Sequence, residues 1–302
     1  MRRRLPTLDG VRRLLADARD APARRWALYT VLGALLAFFL SPLEAGLMTA
    51  FKTSEAFRTS VPIAPPGLDG FSIEPWLIAS RTLGVHLFNS VLLAVPAAAL
   101  SALFGSLAAY GLTGMNWRGQ VGVVVLFVAG IFIPYQAVLI PLSRFWSIVD
   151  TSVLFPTVIN HYSSILDLII THTAYGIPIT TLLFRSYYKN LSDEMLEAAR
   201  LDGASAATIY RRIIYPLSKP MFAVALIYQF TQIWNDLLFA LVIIPSGSGP
   251  AAVVTIAVNE LTGGIIQSFN TQMAGAFVAA IPTLLVYILF GEKFAKGVAS
   301  EA

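Results

Sequence analysis

The sequence predicts an all-α integral membrane protein with six transmembrane helices and both termini in the cytoplasm. Three observations lead there. First, 56% of the 302 residues are hydrophobic and only 13% are charged, with a mean hydropathy of +0.70. Soluble domains carry about 25% charged residues. Half that charge leaves too little material for a solvated surface, which excludes a soluble enzyme, a disordered tail and a fibre. Second, the apolar residues fall into continuous runs near the ~20 residues that a helical span needs, not the ~10-residue alternating segments of a membrane barrel. Third, the basic residues alternate between dense and sparse from one inter-run segment to the next.

The six apolar runs are Trp26–Ala50, Leu87–Leu112, Val121–Leu142, Ile165–Phe184, Met221–Ile244 and Met273–Phe290. Between the first two, Phe51–His86 carries Pro62, Pro65, Pro66 and Pro75 and is expected to be a loop. Ser143–Ser164 is a mixed stretch, read as re-entrant or as an extra surface helix. Pro245–Gly249 reads as a turn. Eight arginines precede Trp26, six basic residues follow the fourth run, and 17 of the 21 Lys and Arg fall on one side of the alternation. That side is the cytoplasm. Residues 1–25 are then a basic cytoplasmic segment, 26–291 a transmembrane domain with a cytoplasmic loop at 187–219, and 292–302 a cytoplasmic tail. No small-residue cleavage site follows the first run, so it reads as an uncleaved helix.

Chemistry-bearing patterns are few. The chain has no cysteine, which removes disulfides, thiol nucleophiles and thiolate metal sites. His86, His161 and His172 lack metal-ligand spacing, so no metal is expected. None of the 21 glycines precedes a lysine, so the sequence shows no phosphate-cradling P-loop.

The largest cytoplasmic loop carries more. Ser192 is placed as a helix N-cap, with Asp193 and Glu194 in the positive first turn and Leu191 and Leu196 as a hydrophobic staple. Asp202-Gly203 ends this helix, glycine supplying the left-handed turn. Ser205 caps a second helix, which Pro216 is expected to end. Glu197-Ala198-Ala199 leaves a low surface on which another protein's backbone can approach closely. A generic helical hairpin between two spans would explain the capping alone.

The full order Glu197-Ala198-Ala199, Gly203, Ile213, Pro216, before the fifth run, resembles the Glu-Ala-Ala loop of the permease subunits of bacterial and archaeal ATP-binding-cassette importers. Phe88-Asn89-Ser90, Ile133-Pro134-Tyr135-Gln136 and Trp234-Asn235-Asp236 extend the likeness, the last looking like the carbohydrate branch with its maltose-type second permease. The resemblance implies a type I importer permease fold and a transport subunit, not an enzyme. It implies ATP-binding-cassette ATPases docked on Glu197, Ala198, Ala199, Asp202, Gly203 and Pro216, a second permease as heterodimer partner, and an extracytoplasmic sugar-binding protein. It leaves the sugar open, a glucose-type monosaccharide being one choice and an oligosaccharide another.

A charge at the bilayer centre costs about 2.5–3.5 kcal/mol, so Asp236 should face protein or water. Trp234, Asn235 and Asp236 have two readings. They line a substrate path, the indole offering a sugar a flat apolar face, or they pack the helix against a partner subunit. His172 has the same pair of readings. An ABC permease for a non-sugar solute, an ion-coupled secondary transporter and a membrane-embedded hydrolase are the competing classes. The last lacks any nucleophile, paired carboxylate or metal cluster. An ion-coupled transporter calls for inverted repeats or several buried ionisable groups.

Overall fold

The computed structural model describes residues 8–115, 117–149, 151–154, 162–247, 249–261 and 268–299. Among them there is no strand, only an isolated antiparallel bridge between Lys52 and Phe71. The chain divides into two compact units, residues 1–73 and 74–302.

In the first unit, α1 (Leu8–Ala50) runs well upstream of the apolar stretch, and α2 (Ser54–Thr59) is N-capped by Thr53, whose side chain accepts from Ala56 N. From Arg24 onward α1 is apolar and largely exposed, Trp26, Phe38 and Phe39 included.

The second unit is built on α3 (Glu74–Thr113). Its 40 residues reach about 60 Å at 1.5 Å each, twice a hydrocarbon core of about 30 Å. The expected loop before His86 is therefore partly helical. Pro75 sits in the first turn, where its missing N–H costs nothing, so it starts a helix instead of breaking one.

The third apolar run is not one straight helix. It divides into α4 (Gln120–Phe132), a 3₁₀ turn Tyr135–Val138 and α5 (Leu139–Val149), bent by 97°. Pro134 forces the break: Ile133 ahead of it is pushed to extended backbone at φ −66°, ψ 123°. The expected mixed stretch thus begins as the continuation of α5, followed by α6 (Thr151–Leu154); residues 155–161, with His161, lie outside those described. Thr151 Oγ1 donates to Asp167 Oδ1 at 2.7 Å and fixes α6 to α7 (Ser163–Tyr188).

After α7 come α8 (Asp193–Leu201) and α9 (Ala206–Ile209), a π turn Tyr210–Ile214 and α10 (Tyr215–Leu217). Pro216 does not end this helix. The π turn widens the backbone ahead of it, where a proline would otherwise clash with a carbonyl, and the chain turns only at Ser218. It bends 75° there into α11 (Lys219–Trp234). The fifth run is broken too: α11 stops at Trp234 and α12 (Leu238–Ile243) restarts four residues on, so Asn235 and Asp236 lie between helices. α13 (Val254–Glu260) and α14 (Phe269–Ala299) complete the chain, α14 running on through the expected tail.

Four helices are long and apolar enough to cross a bilayer alone, and counting each bent pair as one span brings the number to six at most. Packing centres on α3 against α7. Ala97, Ser101, Gly105 and Ala109 recur every four residues on α3 and are buried, the small-residue stripe that lets two membrane helices approach. Thr180 Oγ1 donates to Ser101 O at 2.9 Å across that contact. At Gly176 on α7 a Cβ would lie 2.5 Å from Ser101 Oγ and would meet Gln229 Nε2, so only glycine admits α3 and α11 together. The segment before α13 is fastened to α3. Asn89 Nδ2 donates to Pro250 O (2.7 Å) and Ala252 O (2.8 Å), His86 Nδ1 donates to Ala252 O (2.9 Å), and Ser90 Oγ accepts from Val254 N.

Candidate functional site

Two features stand out: a cavity beside the helix breaks, and the α8–α9 hairpin.

The cavity holds about 770 Å³ between the α4–α5 break, α7, α11 and α12. That volume falls in the ~300–1,000 Å³ range of small-ligand pockets. Three rings close one wall. Tyr135 stacks on Phe239 (centroids 4.2 Å, 18°), and Tyr175 meets both edge-on at 4.8 and 5.4 Å. Thr171, His172, Gln229 and Gln232 supply polar groups, and none of the lining residues carries a fixed charge.

Asp236 stands behind this wall, with its side chain 7% exposed. Its Oδ2 accepts from Phe239 N at 3.2 Å and so caps α12; its Oδ1 accepts from Tyr135 Oη at 3.2 Å; its carbonyl accepts from Thr255 Oγ1 at 2.8 Å. Two hydrogen bonds to the carboxylate and one to the backbone carbonyl hold Asp236 at the start of α12, which is why the run breaks here and not at a proline. His172, 5% exposed, brings Nε2 to 3.4 Å from Asp236 Oδ2, out of line for a hydrogen bond.

The four residues singled out as a path therefore separate. His172 lines the cavity and Asp236 backs it. Trp234 is buried to 3%, stacks on Phe230 and donates Nε1 to Ala279 O on α14 at 3.0 Å. Asn235 caps α11, Nδ2 donating to Thr231 O at 2.9 Å. Tyr135, Tyr175, Phe239, Gln229 and Gln232 were not singled out in the sequence as cavity residues. Their one common signal is an aromatic or amide in an otherwise aliphatic run.

The hairpin follows its local sequence closely. Ser192 Oγ accepts from Met195 N and donates to Glu194, a bond that holds the Glu194 carboxyl below its ordinary value. At the other end Ala204 N donates to Ala199 O and Gly203 N to Arg200 O, both at 3.0 Å, a complete Schellman stop. Gly203 takes φ +79°, a conformation only glycine enters without strain. Ser205 caps α9 through Thr208 N. Glu197, Ala198 and Asp202 are exposed, and beside them Leu201 is 88% exposed.

The opposite face is anchored. Leu196, Ile209 and Ile214 are buried in a cluster with Phe184 and Met221. Ser106 on α3 hydrogen-bonds both Tyr188 Oη (2.6 Å) and Tyr210 Oη (2.8 Å), joining α3, α7 and the hairpin at one buried point. Arg200 Nη2 donates to Gly114 O at 2.6 Å.

Comparison with known proteins gives consistent matches. The family model described as "Binding-protein-dependent transport system inner membrane component" matches residues 101–295. The chain is 48% identical over 294 residues to the xylose/arabinose import permease protein XacI of Haloferax volcanii, covering 94% of each chain. It is 40% identical over 283 residues to a probable ABC transporter permease protein of Pyrococcus horikoshii, covering 92% of this chain and 96% of the other. In fold it is similar to a chain in the crystal structure of a bacterial ABC transporter involved in the import of the acidic polysaccharide alginate, with TM-score 0.72 and 17% identity. That match covers 91% of this chain and 98% of the other.

Proposed function

We propose, from the premise that this chain belongs to the family of binding-protein-dependent transport system inner membrane components, that it forms half of the translocation pathway of an ATP-driven sugar importer. It is a multi-pass subunit of the cell membrane with no ATPase site of its own. Its partners are separate ATP-binding-cassette ATPases, a second, different permease subunit and an extracytoplasmic sugar-binding protein. Its substrate is a small sugar. The sugars named for the Haloferax relative, xylose and arabinose, support a pentose ahead of glucose. The chain crosses the membrane six times, with both termini in the cytoplasm, as the distribution of Lys and Arg supports.

The observation that carries this reading is the hairpin: one face buried and hydrogen-bonded to the membrane helices, the other exposing Glu197, Ala198, Leu201 and Asp202. A capped helix held in this way is a stiff lever. Closure of the ATPases is passed through it to α3 and α7, because the contacts it makes differ between the two states. Glu197 makes a charged contact to the ATPase, Ala198 and Ala199 set the depth of docking, Asp202 and Gly203 fix the angle between the two helices, and Pro216 lies in the last helical turn before the bend into α11. His172 and Asp236 belong to the path wall, while Trp234 and Asn235 hold the helix break.

Because the chain has no native cysteine, Ala198→Cys is a clean cross-linking site. A bifunctional thiol reagent should join it to a cysteine in the ATPase of the assembled complex, with an efficiency that changes when ATP is bound. Absence of any cross-link in a complex that still transports sugar would show that the hairpin is not the docking element.

A further inference from the structure

The cavity differs from an ordinary packing void in three respects. It is open and large, about 770 Å³. Its wall pairs a cluster of rings with amide and imidazole groups while excluding charge. And one of its lining residues is held from behind the wall: His172 Nε2 faces Asp236 Oδ2 at 3.4 Å.

We propose that this cavity is a sugar subsite carried by this subunit itself, with Tyr135, Tyr175 and Phe239 taking the apolar C–H face of a monosaccharide ring and His172, Gln229 and Gln232 its hydroxyls. This rests on the sugar-importer reading above and adds which surface of the pathway holds the sugar.

The chemistry selects the ligand class. A sugar ring has an apolar face and a polar rim, and aromatic rings offer flat, rigid apolar area for the first. Hydroxyls both donate and accept, so side-chain amides, which also do both, suit the second. A phosphate or a carboxylate would call for Arg, Lys or a helix N-terminus, and the lining has no charged group of either sign. A metal ion would call for grouped His, Asp or Glu, and no such group of three occurs among the described residues. Gln229 is already positioned, its Nε2 donating to Gly176 O at 2.9 Å, and Tyr135 is held by Asp236. Asp236 is thus a positioning residue: it orients the ring that meets the sugar and stays behind the wall.

The elements also fit a site that must release what it holds. Tyr135 lies just after one helix break and Phe239 just after another, so the ring cluster is assembled by two joints. A change of angle at either joint separates the rings.

The test uses the complete transporter in lipid nanodiscs, without nucleotide and without the binding protein. Saturation-transfer NMR with D-xylose, and separately L-arabinose, detects weak contact between sugar C–H protons and protein rings. The unmodified complex should give transfer to the sugar. Tyr175→Leu should reduce it about tenfold, a loss of roughly one good aromatic contact, while Tyr175→Phe retains it. Gln232→Ala, at the exposed rim of the cavity, should weaken it without affecting assembly, and it decides the question should Tyr175→Leu fail to assemble. Transfer unchanged in both variants overturns the subsite, as does the absence of transfer in an unmodified complex that imports either sugar. An intact complex that imports no sugar from a broad panel overturns the importer reading instead, so the two failures are distinguishable.

Discussion

The hydroxyl of Tyr135 donates to Oδ1 of Asp236 at 3.2 Å, tying the break in one apolar segment to the break in another. Each break has a local cause, Pro134 for the first and the carboxylate cap on Phe239 for the second. The bond sets where the two stand relative to each other, and with them the wall of the cavity.

Tyr135→Phe should keep the ring stack and remove the donor. The buried carboxylate then loses one of its partners, at a cost of about 1–3 kcal/mol. Asp236→Asn keeps acceptors for Tyr135 and removes the charge. Both variants should assemble, with lower thermal stability and lower sugar uptake. Failure of Asp236→Asn to assemble would make the residue purely structural.

Gly176→Ala should be poorly tolerated, because its Cβ has no room beside Ser101 and Gln229. Overpacking of this kind costs about 1–3 kcal/mol. Gly84→Ala, elsewhere in α3 with open space around it, should be neutral or stabilising by up to ~1 kcal/mol. Melting both purified variants gives the comparison, and equal midpoints would contradict it.

Gly203→Ala forces an L-residue to φ +79°, at about 1–2 kcal/mol. Gly203→Pro cannot adopt that φ at all. Membrane levels should stay normal, since the site lies outside the apolar segments, while uptake and ATPase retention fall in the order alanine, then proline. Full uptake in the proline variant with the ATPase still bound would exclude the coupling role.

Ser106→Ala leaves the Tyr188 and Tyr210 hydroxyls without their shared partner, at about 1–3 kcal/mol. The hairpin should loosen from α3 and α7 while its outer face is untouched. The ATPases should therefore still bind, and more ATP should be hydrolysed per sugar imported. An unchanged ratio would mean that motion passes by another route.

A reporter fused after Ala302 should read as cytoplasmic, and one placed within residues 245–249 as extracytoplasmic. The opposite result at either position defeats the six-span topology.

What could be read without a structure was whatever depends on composition or on neighbours a few residues apart. Too little charge for a water-facing surface means a membrane protein in any fold. The hairpin is legible because its signals act over three to five residues: Ser192 on Met195, Ser205 on Thr208, and Ala199 joined to Ala204 across Gly203. Apolar composition, by contrast, is blind to direction. Val121–Leu142 and Met221–Ile244 look continuous because a broken helix carries the same residue types as a straight one. Pro216 looked like a stop, yet the π turn ahead of it absorbs the clash. The cavity lies furthest from sequence reasoning. Tyr135, Tyr175 and Phe239 come from three separate elements and meet only because Asp236 finds Tyr135, and because Gly176 lets α3, α7 and α11 close together. Those contacts are long-range, and only the packed tertiary structure decides them.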